Sequence, residues 1–368
     1  MKKSIFQNII LAAALLCGCE TEIEVPDGLP GSIEERPDLV PAPSDTVPEA
    51  SVPETISPGM VFGARNAEGV TLYYRLLTAS TCEVVQGLDT TTDEGAYRGR
   101  VEIPERVDCR GQQLTVVAIA ERAFEYSEVT EVILPSTLTS IGAYAFQYSP
   151  LLGQLTIPGG VSRLETCVCR GCTGLQSVTL LGGVVVVGKM AFTKCTQLAD
   201  VRLPESLGVI DVGAFLGCTA LREVVIPPYV GLINDYAFCR CGITSFSFPD
   251  RMTTLSEGVF QNCAELTTLR LPAQLSEVGC YALAGCAALE RIVLPEAVSQ
   301  IGAQAFAYCT ALHVVQVLSA TPPVCSEDSF DGQASAAIPL TLEVPALSLD
   351  AYSEAPVWQR FEQIQVIH

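Results

Sequence analysis

Sixteen cysteines, two histidines and forty-one carboxylates are the groups on this 368-residue chain that could carry chemistry. Cys169 and Cys172 have the Cys-x-x-Cys spacing, with Cys167 beside them. Alone, that spacing points to a zinc site, because two nearby thiolates can share one tetrahedral ion. Sixteen cysteines in an exported chain would equally suggest a disulfide framework. Nucleophilic catalysis by a Ser-His-Asp or Cys-His set needs an imidazole. Only His313, on an expected strand, and the terminal His368 offer one, and His313 reads as an exposed strand residue. The sequence holds no His-Glu-x-x-His, no phosphate-binding loop and no dinucleotide fingerprint. Forty-one acids guarantee some carboxylate proximity, but proximity alone is not a glycosidase site. The expectation is no enzyme, no cofactor and no metal.

The positions of the cysteines explain most of them. A block of 22–23 residues recurs from Ile119 to about Gln316, anchored at Phe124, Phe146, Cys169, Phe192, Phe215, Phe238, Phe260, Leu283 and Phe306. Successive anchors are 22, 23, 23, 23, 23, 22, 23 and 23 residues apart. Cys172, Cys195, Cys218, Cys241, Cys263, Cys286 and Cys309 each follow an anchor by three residues. One repeat position filled seven times with cysteine reads as a buried column of small, soft side chains. Stacked neighbours ~4.8 Å apart fall inside the disulfide window, but their side chains point the same way, so free thiols are expected. Cys169 with Cys172, and Cys239 with Cys241, are then core positions of single copies. Cys82 and Cys109 precede the repeats, and their pairing with each other stays open.

A fixed period of this size marks a solenoid. Each copy carries Leu-x-x-Val-x-Ile-Pro, as in Leu198–Pro204, Leu266–Pro272 and Leu289–Pro295. Val-x-Ile points two side chains inward, and proline ends the strand because it has no N–H for the ladder. A second apolar pair, such as Leu207 and Ile210, suggests another short strand on the opposite wall. Gly-Ala-x-Ala-Phe, as in Gly302–Phe306, has room for about one helical turn. The fold class expected is a leucine-rich repeat solenoid, β-rich with short helical turns, of about nine repeats capped at both ends. No copy can bury its own apolar face, so stability comes from neighbours.

Ala-Phe-x-x-Cys-x-x-Leu-x-x-Val-x-Ile-Pro-x-x-Val-x-x-Ile-Gly resembles the repeat of the BspA-like leucine-rich repeat family. Tyr97–Pro104 through Val117–Ile119 resembles that family's leading segment. Thr341–Pro345, Ala351–Tyr352 and Trp358–Phe361 resemble its terminal cap. The pattern departs at Cys169, at Leu181-Gly182-Gly183 in place of proline, at Leu283, and at Val317, where the ninth copy breaks off. The resemblance implies a secreted or surface protein, with adhesion to host proteins or other cells as its implied activity.

The chain organisation follows. Residues 1–19 read as a lipoprotein signal peptide: Lys2 and Lys3, then an apolar stretch too short to span a bilayer. Leu16-Cys17-Gly18-Cys19 resembles a bacterial lipobox, with Cys19 lipidated; an ordinary signal peptide cut nearby is the alternative. Residues 20–58 hold eight prolines and a net charge of −9, which suits an acidic extended linker. Residues 59–118 read as an N-terminal β cap, 119–317 as the repeats, and 318–368 as a C-terminal cap. Glu20, Glu22 and Glu24 resemble a signal that sends lipoproteins to the outer face of the outer membrane.

The net charge of −20 lacks the clustered basic residues that nucleic acid requires. Outward strand positions form two columns. One runs Ile133, Thr156, Thr179, Arg202, Val225, Ser247, Arg270, Val293 and Gln316; its neighbour includes Asp200, Glu223 and Arg291. Arg202, Arg270 and Arg291, with Asp200 and Glu223, make a candidate protein-docking face, since Arg suits interfaces. The expected partner is a protein, from host matrix or another cell surface. Capture of glycans or nutrients is the alternative, weakened by the lack of aromatics in both columns.

Overall fold

The computed structural model describes residues 56–87, 97–332 and 340–367. The signal peptide with Cys19, most of the 20–58 linker and His368 lie outside them.

The Val-x-Ile alternation gives the first wall of a solenoid. Gln154–Ile157, Ser177–Leu180 and Asp200–Arg202 stack in parallel, with Ser177 level with both Gln154 and Asp200. Val178 and Leu180 face the core, while Ser177 and Thr179 stay half-exposed. The proline after the strand starts a turn: the carbonyls of Pro158, Pro204, Pro227 and Pro272 each accept the N–H three residues on, at 3.0–3.1 Å. Leu181 replaces proline and makes the same contact at 3.4 Å. The second apolar pair forms the second wall, where Arg163–Leu164, Val186–Val187, Val209–Ile210 and Leu232–Ile233 align in parallel.

The third wall differs from the helical turn expected. The residues two before and two after each anchor have positive φ, as at Tyr144 (59°) and Tyr148 (54°) around Phe146. Left-handed residues cannot continue a right-handed helix. They turn alternate amides towards the next copy instead. The N–H groups of Tyr144, Phe146 and Tyr148 donate to Thr166, Val168 and Arg170 at 2.8–3.0 Å. Those of Gln147 and Ser149 close local turns. The result is a third inter-copy ladder, and no described repeat contains a helix.

Anchor rings stack along the axis. Centroids are 5.1 Å apart for Phe124–Phe146, 5.4 Å for Phe192–Phe215 and for Phe215–Phe238, and 5.8 Å for Phe238–Phe260. Cys169 and Leu283 fill the same slot and are fully buried. The stack continues past Val317: Phe330 lies 5.1 Å from Phe306, and Val324–Cys325 pairs with Gln300–Ile301.

Both ends are closed. Before the repeats, Val61–Arg65, Thr71–Leu76 and Thr81–Val85 form an antiparallel meander. Its last strand runs parallel to Gln112–Ile119, which in turn leads into the second wall at Ser140–Ile141. The Tyr97 hydroxyl donates to the Val85 carbonyl at 2.7 Å, and its ring lies 4.7 Å from Phe124. At the other end the helix Leu349–Glu354 carries buried Tyr352. The Trp358 indole donates to the Pro323 carbonyl at 2.8 Å, and Phe330, Trp358 and Phe361 cover the last anchor.

Candidate functional site

The outward face of the first wall is built by the strand alternation itself. Asp200 and Arg202 flank buried Val201 and therefore project outward. Arg202 and Arg270 are 72% and 69% exposed, and Arg291 is 44% exposed. Each already has an acidic neighbour: Asp200 at 3.3 Å, Asp250 at 3.3 Å and Glu343 at 2.6 Å. Such exposed pairs hold little energy, so Arg202 and Arg270 remain available to a partner. Arg291 is held more firmly, because both its terminal nitrogens reach Glu343. The three arginines do not form one cluster. Arg202 and Arg270 share a column with Val225 and Ser247 between them, and Arg291 lies in the neighbouring column.

Glu223 lies in a segment that does not join the wall. Residues 221–227 take no strand conformation, and the sheet from Arg98–Glu102 ends at Asp200–Arg202. A groove of about 600 Å³ opens here, with Val224, Ile226, Phe246 and Phe248 among its lining residues. A smaller one of about 360 Å³ lies at Val132–Leu134 and Thr156. Neither was expected. The signal lay in the two 22-residue steps, Phe124 to Phe146 and Phe238 to Phe260, since each groove borders a shortened copy.

The cysteine column runs through the core. Cys172, Cys195, Cys218, Cys241, Cys263, Cys286 and Cys309 are all 0–3% exposed. Each thiol donates to the carbonyl of the preceding anchor, from Phe146 for Cys172 at 2.9 Å to Leu283 for Cys309 at 3.1 Å. Ser149 makes the same contact with Phe124 at 2.7 Å, so the column selects a small donor. Burial pushes the Cys195, Cys263 and Cys286 thiols well up, and Cys309 up to about 12. A thiol held protonated is a poor nucleophile and a poor metal ligand. Cys82 and Cys109 are buried free thiols in the strands before the repeats. Among the described residues, no three His, Cys, Asp or Glu side chains are grouped to hold a metal. None of the helices there is long and apolar enough to cross a membrane.

The third wall carries aromatics that the strand columns lack. Tyr126 and Tyr148 stack at 5.2 Å, and Tyr126 is 59% exposed. The Arg122 guanidinium lies 4.5 Å over the Tyr144 ring.

The BspA-type leucine-rich repeat region matches residues 117–241 and 231–334, in six copies. The two matches together span more than half of the chain. This chain belongs to the BspA-type leucine-rich repeat family. No curated protein matches it. Solved structures with similar chains include a leucine-rich repeat protein from Bacteroides ovatus, at 22% identity over 81% of this chain and 98% of that one, with a TM-score of 0.36. A leucine rich cell surface protein from Faecalibacterium prausnitzii shares 20% identity over 85% and 96%, with a TM-score of 0.39. The pneumococcal vaccine antigen PcpA shares 14% over 85% and 100%, with a TM-score of 0.46. Membership in the family accounts for the anchor slot, the strand-ending proline and the Cys column as features of one repeat. It does not account for the groove, which lies where the period itself fails.

Proposed function

We propose that this protein is an exported, lipid-anchored surface protein, held by Cys19 on the outer membrane and facing the exterior. It recognises other proteins through the outward face of the first wall and performs no chemistry of its own. The supporting observation is the register of that wall. It repeats outward positions copy by copy and leaves Arg202 and Arg270 about 70% exposed on a strongly acidic chain. Solenoids act through such extended surfaces. The test is binding to extracellular-matrix proteins beside a glycan array. Saturable binding to protein, weakened by charge reversal at the arginines, supports the reading; binding to glycans alone sinks it.

A second reading has its own support. Tyr126, stacked on half-buried Tyr148, is 59% exposed and is an aromatic of the kind that packs on sugar rings. Capture of glycans or nutrients would use the third wall, and Tyr126→Ala would abolish it while leaving the arginine face untouched. Protease shaving of intact cells tests the address: a protein protected from protease does not face the exterior.

A further inference from the structure

The first wall contains an unpaired segment. Asp200–Arg202 pairs only with Ser177–Thr179, and Ser245–Ser247 only with Thr268–Arg270. Between them, Glu223–Ile226 has no hydrogen-bond partner for its backbone N–H and carbonyl groups among the described residues. Its sequence does not explain this, because Glu-Val-Val-Ile-Pro is a good strand with β-branched residues at the right positions. The cause lies in the next copy. That copy is one residue short, with Cys241-Gly242-Ile243 where others have Cys-x-x-Leu. Its two inward strand residues are Phe246 and Phe248 in place of Val and Ile, and Phe246 packs 4.7 Å from Phe260 and 5.3 Å from Phe238. Two rings thus pack where the other copies have aliphatic side chains, beside the unpaired segment.

The second wall opens at the same level, since Leu232–Ile233 and Thr254–Leu255 are not paired. Only the third wall runs through, from Tyr236, Phe238 and Arg240 to Glu257, Val259 and Gln261 at 2.8–3.0 Å. The opening on the first wall is the groove of about 600 Å³, a size typical of ligand clefts. Val224, Ile226, Phe246 and Phe248 give it an apolar floor. Val225, 84% exposed, stands on its rim.

We propose that this groove binds an extended peptide by strand addition. Open strand edges are templates for another chain. Unpaired backbone groups ask for a backbone partner, which a glycan cannot supply in register, and side-chain pockets then set specificity. Alternate residues of the peptide are apolar, to meet the phenylalanine floor. At least one of the others is basic: Glu223 has no ion pair among the described residues, and the chain carries a net charge of −20. The inference deepens the protein-recognition reading by naming a peptide strand as the partner at this point of the face.

Hydrogen exchange on the full-length protein tests it. In the free protein the amides of Glu223–Ile226 should exchange far faster than those of Val178 and Val315, whose strands are paired on both sides. The probe is a library of capped hexapeptides alternating apolar residues with Lys, Arg or Thr. Each peptide has a twin N-methylated at alternate residues. Binding members should slow exchange at Glu223–Ile226 and Ser245–Ser247 by about tenfold or more, their twins should not, and Glu223→Lys should weaken binding. Slow exchange there in the free protein overturns the proposal. So does equal protection by the twins, failure of the whole library, or protection that appears only with rising protein concentration. Folded matrix proteins that bind without altering these amides would overturn the groove and leave the recognition reading standing.

Discussion

Raising the pH past 9 should cost this protein most of its stability, and the cause is its buried cysteines, those of the column foremost. Cys195, Cys241, Cys263 and Cys286 are pushed well above the ordinary thiol value of 9.0, chiefly by burial. Cys169 is raised as strongly, first by its hydrogen bond with Cys172 and then by burial. Burial puts Cys309 at about 12. A folded-state value above the unfolded one means that the native protein keeps a proton the unfolded chain has released. The stabilisation is therefore complete below pH 9 and is lost as pH rises beyond it. One pH unit above the unfolded value, each thiol that stays protonated in the fold costs about 1.4 kcal/mol. Burial also puts Cys82 and Cys325 at about 12, so eight such thiols together cost about 11 kcal/mol, against a typical total of about 5–15 kcal/mol. Tyr74, Tyr97 and Tyr352 are also raised by burial, but from 10.0, so the window between pH 9 and 10 belongs mostly to the thiols. Urea unfolding under reductant, followed by circular dichroism at several pH values from about 7 to 10, gives the slope. The expected slope approaches about 11 kcal/mol per pH unit at the upper end, and Cys263→Ser should lower it by about 1.4. A slope below about 1.4 kcal/mol per pH unit would refute the reasoning, since fewer than two thiols would then be held protonated by the fold.

Three further outcomes follow from the packing. Gly171 has φ +72°, and an added Cβ would lie 2.5 Å from the Tyr148 ring; Gly171→Ala should cost about 2–4 kcal/mol in urea unfolding. Tyr148→Ala should recover the overlap part of that loss, and strict additivity of the two would show that the ring does not lie there. Phe215 is fully buried between Phe192 and Phe238, so Phe215→Ala should cost about 3–5 kcal/mol, measured the same way. Charge reversal at Arg202, Arg270 and Arg291 should weaken binding to a protein partner while changing stability by about 1 kcal/mol or less per site; unchanged affinity would exclude this face.

The period makes the fold and the core legible in the sequence, because stacking forces like positions into columns. Seven cysteines at one repeat position could be placed in the core for that reason alone. Their donor role was less visible, although Ser149 in the same column hinted that the position wants a hydrogen. The third wall was not legible. Tyr144, Tyr148, Lys194, Arg240 and Asn262 all have positive φ, and such residue types do not announce a left-handed backbone. Gly213, Gly217, Gly258 and Gly285 at equivalent positions did carry that signal. The turn at Phe330 was hidden because Pro322-Pro323 lengthens the step from Phe306 to 24 residues.

The length of a copy is one of the things that opens the walls. At Cys169 the anchor ring is missing, yet the first wall stays paired from Gln154–Ile157 through Ser177–Leu180 to Asp200–Arg202. Leu283 also lacks the ring; there the second wall still pairs from Glu277–Val278 to Gln300–Ile301, while the first wall stops between Thr268–Arg270 and Arg291–Leu294 although both copies have 23 residues. Within the described repeats the second wall breaks between Ile141 and Arg163 and between Ile233 and Thr254. Each break borders one of the two 22-residue copies, and so does each groove. A lost side chain leaves a void that neighbours can fill. A lost residue shifts a strand along its axis, so that ladder bonds are given up nearby: between Ile233 and Thr254 at the second shortened copy, and just after Ile141, itself still paired with Ile119, at the first. Packing fixes the columns of a periodic protein. The places where its period fails are where its surface can take a shape of its own.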